Sequence, residues 1–161
     1  MRIFAPARFL DQSTQPHIAT LIALASISAL AMNIFLPSLP SMAAYYNTTP
    51  SIMSLSVAIY LGASALLQLF SGPISDRIGR RPVILISLIL FIIASLATIW
   101  APNAETFLAL RFVQAFAATT MVLSRAVVRD TVGKEAAASK IAYVTMGMAV
   151  APMIGPGIGG Y

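Results

Sequence analysis

No aspartate, glutamate, lysine or arginine occurs between Asp11 and Asp76, between Arg81 and Glu105, or after Lys140. A water-soluble domain carries about 25% charged residues, whereas this chain of 161 residues has 9% charged and 58% hydrophobic. Each charge-free run reaches the length of about 20 apolar residues that a helix needs to cross a hydrocarbon core. A backbone in lipid must satisfy its own hydrogen bonds. The chain is therefore expected to be an all-α membrane protein whose first partner is the lipid bilayer.

Local breakers divide the runs into five expected transmembrane helices. The polar stretch Tyr45–Ser51 splits the longest run into a span over about 17–44 and another over about 52–73. Pro82 suits a first helical turn, where its missing N–H would have no partner anyway, and opens a span over about 82–100. Ala101–Glu105 reads as a turn, followed by a span over about 106–128 and, beyond a polar segment, a last one over about 141–161. The Gly72–Pro82 segment reads as a tight turn that makes the second and third spans antiparallel neighbours. Arg2, Arg8, Arg77, Arg80, Arg81, Arg129, Lys134 and Lys140 all fall on one side of the membrane and only Glu105 on the other. Cytoplasmic loops retain lysine and arginine, so the N-terminus is expected inside, with Tyr45, Tyr46 and Trp100 at the outer interface. A cleaved signal peptide ending near Ala29-Leu30-Ala31 is the rival for the first span, but the apolar run continues past that site.

The net charge of +5 does not point to nucleic acid, because such binders cluster basic residues on an otherwise polar face. Cysteine is absent, which excludes disulfides and thiolate metal sites. The single histidine, His17, lies at the edge of the first run. No nucleophile, base and metal-ligand constellation is visible, so neither enzyme activity, a metal nor a cofactor is expected.

Gly72-Pro73-Ile74-Ser75-Asp76-Arg77-Ile78-Gly79-Arg80-Arg81-Pro82 resembles the signature loop G-x-L-x-D-x-x-G-R-[KR]-x between the second and third helices of major facilitator superfamily transporters. Arg111-Phe112-Val113-Gln114-Ala115 is similar to the fourth-helix motif R-x-x-Q-G, with alanine in place of the final glycine. Ala151–Gly160 resembles the fifth-helix motif of the antiporter branch. Within the superfamily, Phe35–Pro40 and Arg125–Asp130 are similar to the bicyclomycin and chloramphenicol resistance exporters.

The resemblance implies five helices of an N-terminal six-helix bundle, incomplete at 161 residues, with helix 6 and a C-terminal bundle as missing partners. It implies a multi-pass protein of the bacterial inner membrane that exports a drug or small metabolite in its full-length form. Three readings stand side by side: an exporter, a facilitator or importer of the same fold, and a truncated membrane protein that only packs. The resemblance further makes Gly72, Asp76, Arg77, Gly79, Arg80 and Arg81 a conformational latch, with Asp76 paired to Arg125 or Arg129 at the inner end of the fourth span.

Arg111 needs a reason of its own. A central arginine costs about 2.5 to 3.5 kcal/mol on insertion, against about 2.4 to 4.8 kcal/mol from the strongly apolar residues of its span. Either it snorkels to the outer interface, or it lines a transport cavity with Gln114 at i+3. Asn33, a polar residue ahead of Pro37 and Pro40, and Tyr60 are its expected companions, with Ser64 and Gln68 as further candidates. Asn33 is alternatively interhelical glue. It stands where relatives often carry an acid, and no carboxylate lies inside any span, so antiport is implied by the family and not by this chain. In the last span Gly155 and Gly159 form a G-x-x-x-G face, and Pro152 and Pro156 are expected to kink the helix.

Overall fold

The computed structural model describes residues 17–131 and 134–159, with side chains throughout except at 131, 134–137, 151, 154–156, 158 and 159. The described residues form seven helices and no strand: α1 Ile18–Asn33, α2 Leu39–Tyr45, α3 Pro50–Ile78, α4 Arg80–Thr98, α5 Ala104–Gln114, α6 Ala117–Thr131 and α7 Lys134–Gly159. A short 3₁₀ turn, Leu36–Ser38, joins α1 to α2. Taken together, α1 with α2 and α5 with α6 each make one long apolar crossing, so Ile18–Tyr45, Pro50–Ile78, Arg80–Thr98 and Ala104–Asp130 are long and apolar enough to span a membrane. Arg2 and Arg8 lie outside the described residues.

Most helix ends have a visible chemical cause. Thr49 Oγ1 accepts from Ile52 N at 3.3 Å, with Pro50 in the first turn of α3. Asn103 Oδ1 accepts from Thr106 N at 2.8 Å and starts α5, where Glu105 sits favourably against the positive helix end. His17 caps α1 through Nδ1, which accepts from Ala19 N.

The Gly72–Pro82 segment is not the expected multi-residue turn. Helix α3 runs through Gly72 and Pro73 to Ile78, and Gly79 alone separates it from α4. Gly79 makes this possible with φ +96°, a conformation that a side chain disfavours. The helix tolerates Pro73 because only one backbone bond is lost, while the Ser71 and Ser75 hydroxyls donate to the Gln68 and Gly72 carbonyls on either side.

Burial is inverted relative to a soluble bundle. Ser28, Ser56, Ser64, Ser71, Ser87, Thr119, Thr120 and Ser124 are buried, while Leu66, Leu69, Phe70, Ile89, Ile93 and Leu96 are exposed. That is the pattern required when the surroundings are as apolar as leucine and helices associate through small and hydroxylated residues. On α4 the buried residues Val83, Ser87 and Ala94 lie along one stripe, and Ile86, Ile89, Ile92 and Ile93 face outward.

Three clusters of buried residues hold the helices together. Leu21 and Ala25 of α1 meet Val128 of α6 and Val144 of α7. Ala31, Tyr60, Ala63, Ala115 and Ala117 join α1, α3 and the α5–α6 junction, and Ala43, Met53, Ala101 and Phe107 close the other end. Contact between α1 and α7 depends on Gly147, since a Cβ there would collide with the Ile22 side chain.

Candidate functional site

Two polar groups stand out in this apolar molecule, one in the interior and one at the α3–α4 turn. The interior group begins with the break in the first crossing. Helix α1 stops at Asn33, and the following Pro37 has no N–H to offer, so the last α1 carbonyls lack helical partners. Arg111 of α5 answers one of them: its Nη1 donates to Ala31 O at 3.2 Å. The same nitrogen donates to Gln114 Oε1 at 2.6 Å. Gln114 in turn donates through Nε2 to Thr98 Oγ1 at 3.1 Å and Ser95 Oγ at 3.3 Å on α4. A single side chain therefore links the cation to a third helix.

Two aromatic rings complete the surroundings of the guanidinium. Its Cζ lies 3.6 Å from the centre of the Phe35 ring and 5.1 Å from that of Tyr60, distances at which the negative ring faces stabilise a cation. Tyr60 is held in place by its hydroxyl, which donates to Ser28 O at 3.1 Å. Arg111 and Gln114 are only 4% and 6% exposed. Arg111 consequently does not snorkel; it turns inward to the end of α1.

A cavity of about 380 Å³ opens beside this cluster, bordered by Ala31, Phe35, Phe91, Ser95, Arg111 and Gln114 among others. Its walls are mostly apolar with a few convergent polar groups, as small-molecule sites generally are.

The structure brings together only part of the expected cavity set. Arg111 and Gln114 line it, whereas Tyr60 touches Arg111 without lining the cavity. Asn33 does neither. Its Nδ2 donates to Ala29 O at 2.7 Å, one turn back in its own helix, so it serves the α1 end rather than Arg111 or a neighbouring helix. Ser64 is buried close to Tyr60, and neither Ser64 nor Gln68 lines the cavity. Phe35, Ser95 and Thr98, which sequence reasoning did not select, supply much of the site. A polar pair one turn apart in the outer half of a helix with no other polar residue after Ser87 was the available signal for Ser95 and Thr98.

The second group lies at the α3–α4 turn. Arg80 Nη2 pairs with Asp76 Oδ1 at 2.7 Å, its Nε donates to Asp130 Oδ2 at 3.1 Å, and Nη1 donates to Ser75 Oγ at 2.7 Å. The expected pairing of Asp76 with Arg125 or Arg129 is not seen among the described residues. Asp76 and Arg80 lie four residues apart in sequence, and with Gly79 alone between α3 and α4 their side chains meet directly. Arg80 then reaches the end of α6 through Asp130. The adjacent acid in Arg129-Asp130 was the overlooked signal. Arg77 and Arg129 are exposed, and Arg125 is half-buried with its Nε unpaired among the described residues. Gly72 lies within α3.

Helix α7 continues through Pro152 to Gly159. The surroundings of Gly155, Pro156 and Gly159, and the side chain of Lys134, lie outside the described residues.

Residues 21–161 match the Major Facilitator Superfamily. The chain is 38% identical over 138 residues to an uncharacterized MFS-type transporter of Bacillus subtilis (strain 168), covering 85% of this chain and 34% of that protein. It is 37% identical over 137 residues to a chloramphenicol resistance protein of Pseudomonas aeruginosa, covering 83% and 32%. It is 32% identical over 152 residues to a bicyclomycin resistance protein homolog of Haemophilus influenzae (strain ATCC 51907 / DSM 11121 / KW20 / Rd), covering 94% and 38%. The chain thus spans about a third of the length of these relatives.

Proposed function

The chain belongs to the major facilitator superfamily, and from that premise we propose that it forms the first five membrane helices of a bacterial inner-membrane exporter of drugs or small metabolites. The observation that carries this reading is the buried Arg111–Gln114 pair beside a cavity of about 380 Å³. A polar site at depth in a membrane bundle marks a route for a solute more often than a structural accident. Kinship with chloramphenicol and bicyclomycin resistance proteins supports a small organic molecule as the substrate class. No catalytic chemistry belongs to this reading.

The turn cluster supplies the moving part. Arg80 holds two carboxylates, Asp76 on its own hairpin and Asp130 on α6. Both pairs are partly exposed, so each is worth no more than about 1 kcal/mol. A tie that weak can open and close, which a rigid core contact cannot. With the basic residues around it, this end lies in the cytosol, and the N-terminus with it.

The test is efflux by the complete protein in a drug-sensitive host. Asp76→Asn is expected to abolish or strongly reduce resistance while membrane insertion is retained. Unchanged resistance in that variant overturns the latch. A facilitator of the same fold is the second reading, favoured by the absence of any carboxylate near Arg111 among the described residues. Uptake or efflux that ignores a collapse of the proton gradient would select it.

A further inference from the structure

The guanidinium of Arg111 has five N–H donors. Nη1 uses both of its own on Ala31 and Gln114. Nε and Nη2 have no acceptor among the described residues, and both are shut off from solvent. These two nitrogens share one edge of the planar group, and their hydrogens point the same way. That edge matches the two oxygens of a carboxylate. Leaving it unfilled in a medium without water is costly, and no carboxylate among the described residues fills it. No aspartate or glutamate lies between Asp11 and Asp76 or between Arg81 and Glu105, and Glu105 is on the outer first turn of α5.

We propose that the cavity binds an organic anion, a carboxylate or a comparable two-oxygen acid, through the Nε and Nη2 edge of Arg111. This rests on reading the cavity as the transport site and adds the charge of what it takes. The body of the ligand lies among the apolar walls at Ala31, Phe35 and Phe91, which suits an aryl or alkyl acid. The edge is closed in this structure, so entry of the acid requires a side chain to turn aside. Phe35, which borders the cavity with its ring on the guanidinium face, is that side chain.

The experiment uses the full chain in lipid nanodiscs at neutral pH, with benzoate and its neutral isostere benzamide as probes. Benzoate is expected to bind about tenfold or more tightly than benzamide, as charge-assisted hydrogen bonds imply. Arg111→Lys, which keeps the charge but loses the fork, should remove most of that preference. In the unmodified chain the Arg111 Nε–H resonance should shift on adding benzoate and not on adding benzamide, a readout that needs no variant. Equal binding of the two probes, no binding of benzoate, or an unmoved Nε–H resonance overturns the assignment. Intact drug efflux beside such a result would remove the anion and leave the exporter. Anion binding without efflux would do the reverse.

Discussion

Replacing Gln114 by leucine isolates the interior network, because it changes hydrogen bonding at nearly constant volume. Gln114 is 6% exposed and accepts from Arg111 at 2.6 Å. In the variant, Ala31 O at 3.2 Å would be the sole remaining acceptor for a buried cation among the described residues. A hydrogen bond to a charged group contributes about 1.5 to 3 kcal/mol. The two bonds from Nε2 to Thr98 and Ser95 each contribute about 0.6 kcal/mol, the average for interhelical bonds in a membrane protein. Leucine regains little by burial, since lipid is as apolar as the interior. The expected loss is about 3 kcal/mol, of which the Arg111 bond is the larger share.

Equilibrium unfolding in mixed micelles, scored by helical circular dichroism, measures this directly. Gln114→Glu is the matched control: the carboxylate keeps the acceptor for Arg111, and the Ser95 hydroxyl can turn to donate. Its stability is expected to stay within about 1 kcal/mol of the unmodified chain, since a close ion pair offsets the cost of burying another charge. A leucine variant as stable as the parent would refute the reasoning. So would a glutamate variant as unstable as the leucine one, because the loss would then come from shape and not from the missing acceptor.

Asp130→Asn is expected to lower the stability of the complete protein by less than about 1 kcal/mol yet to reduce drug resistance as Asp76→Asn does; full resistance in a host assay would detach Asp130 from the latch. Gly147→Ala forces a Cβ onto Ile22 and should destabilise the chain by about 1 to 3 kcal/mol, with Ile22→Ala restoring much of the loss in a double-mutant cycle; no recovery would mean that α1 and α7 do not meet there. Because the chain lacks cysteine, Ile78→Cys and Asn103→Cys can be labelled one at a time in intact cells with a membrane-impermeant maleimide, and only the second is expected to react. Reaction at both would undo the assigned orientation.

The helical class was legible because it rests on a property that no tertiary contact can override: charge-free runs of spanning length leave a chain in lipid few options. The pairing of Arg111 with Gln114 was legible as one of two alternatives, from their i, i+3 spacing on an apolar helix, and the burial that excludes snorkelling was not. The Gly72–Pro82 segment misled because glycine and proline are read as breakers, whereas a proline inside a long helix forfeits only one backbone bond. The expected pairing of Asp76 with Arg125 or Arg129 came from the resemblance, whereas in the structure Arg80, four residues on, meets that carboxylate. Conversely, the break between α5 and α6 carries no proline and no glycine. There Ala115 and Phe116 donate their N–H groups three residues back, to Phe112 and Val113. Its cause is tertiary: Ala115 is fully buried against Ala31, Tyr60 and Ala63, a crossing that no single-helix pattern reveals.

The two broken crossings explain each other. Helix α1 stops at Asn33 and α5 at Gln114, and the buried residues beside those stops, Ala31 and Ala115, share one cluster. A helix that ends within a membrane leaves carbonyls that water cannot reach, and something in the protein must answer them. Arg111 answers Ala31, while Thr120 of α6, past the second break, donates to the Leu24 carbonyl in the middle of α1 at 2.7 Å and ties the two crossings together. The Arg111–Gln114 pair is therefore located where the backbone is interrupted, and the cation is drawn there because an α-helix carries its negative end at the C-terminus. An apolar residue at 111 would insert more easily but would leave the end of α1 unanswered. The charge that is expensive to insert is the one that makes the interruption tolerable, and the interruption in turn keeps a site open between the helices.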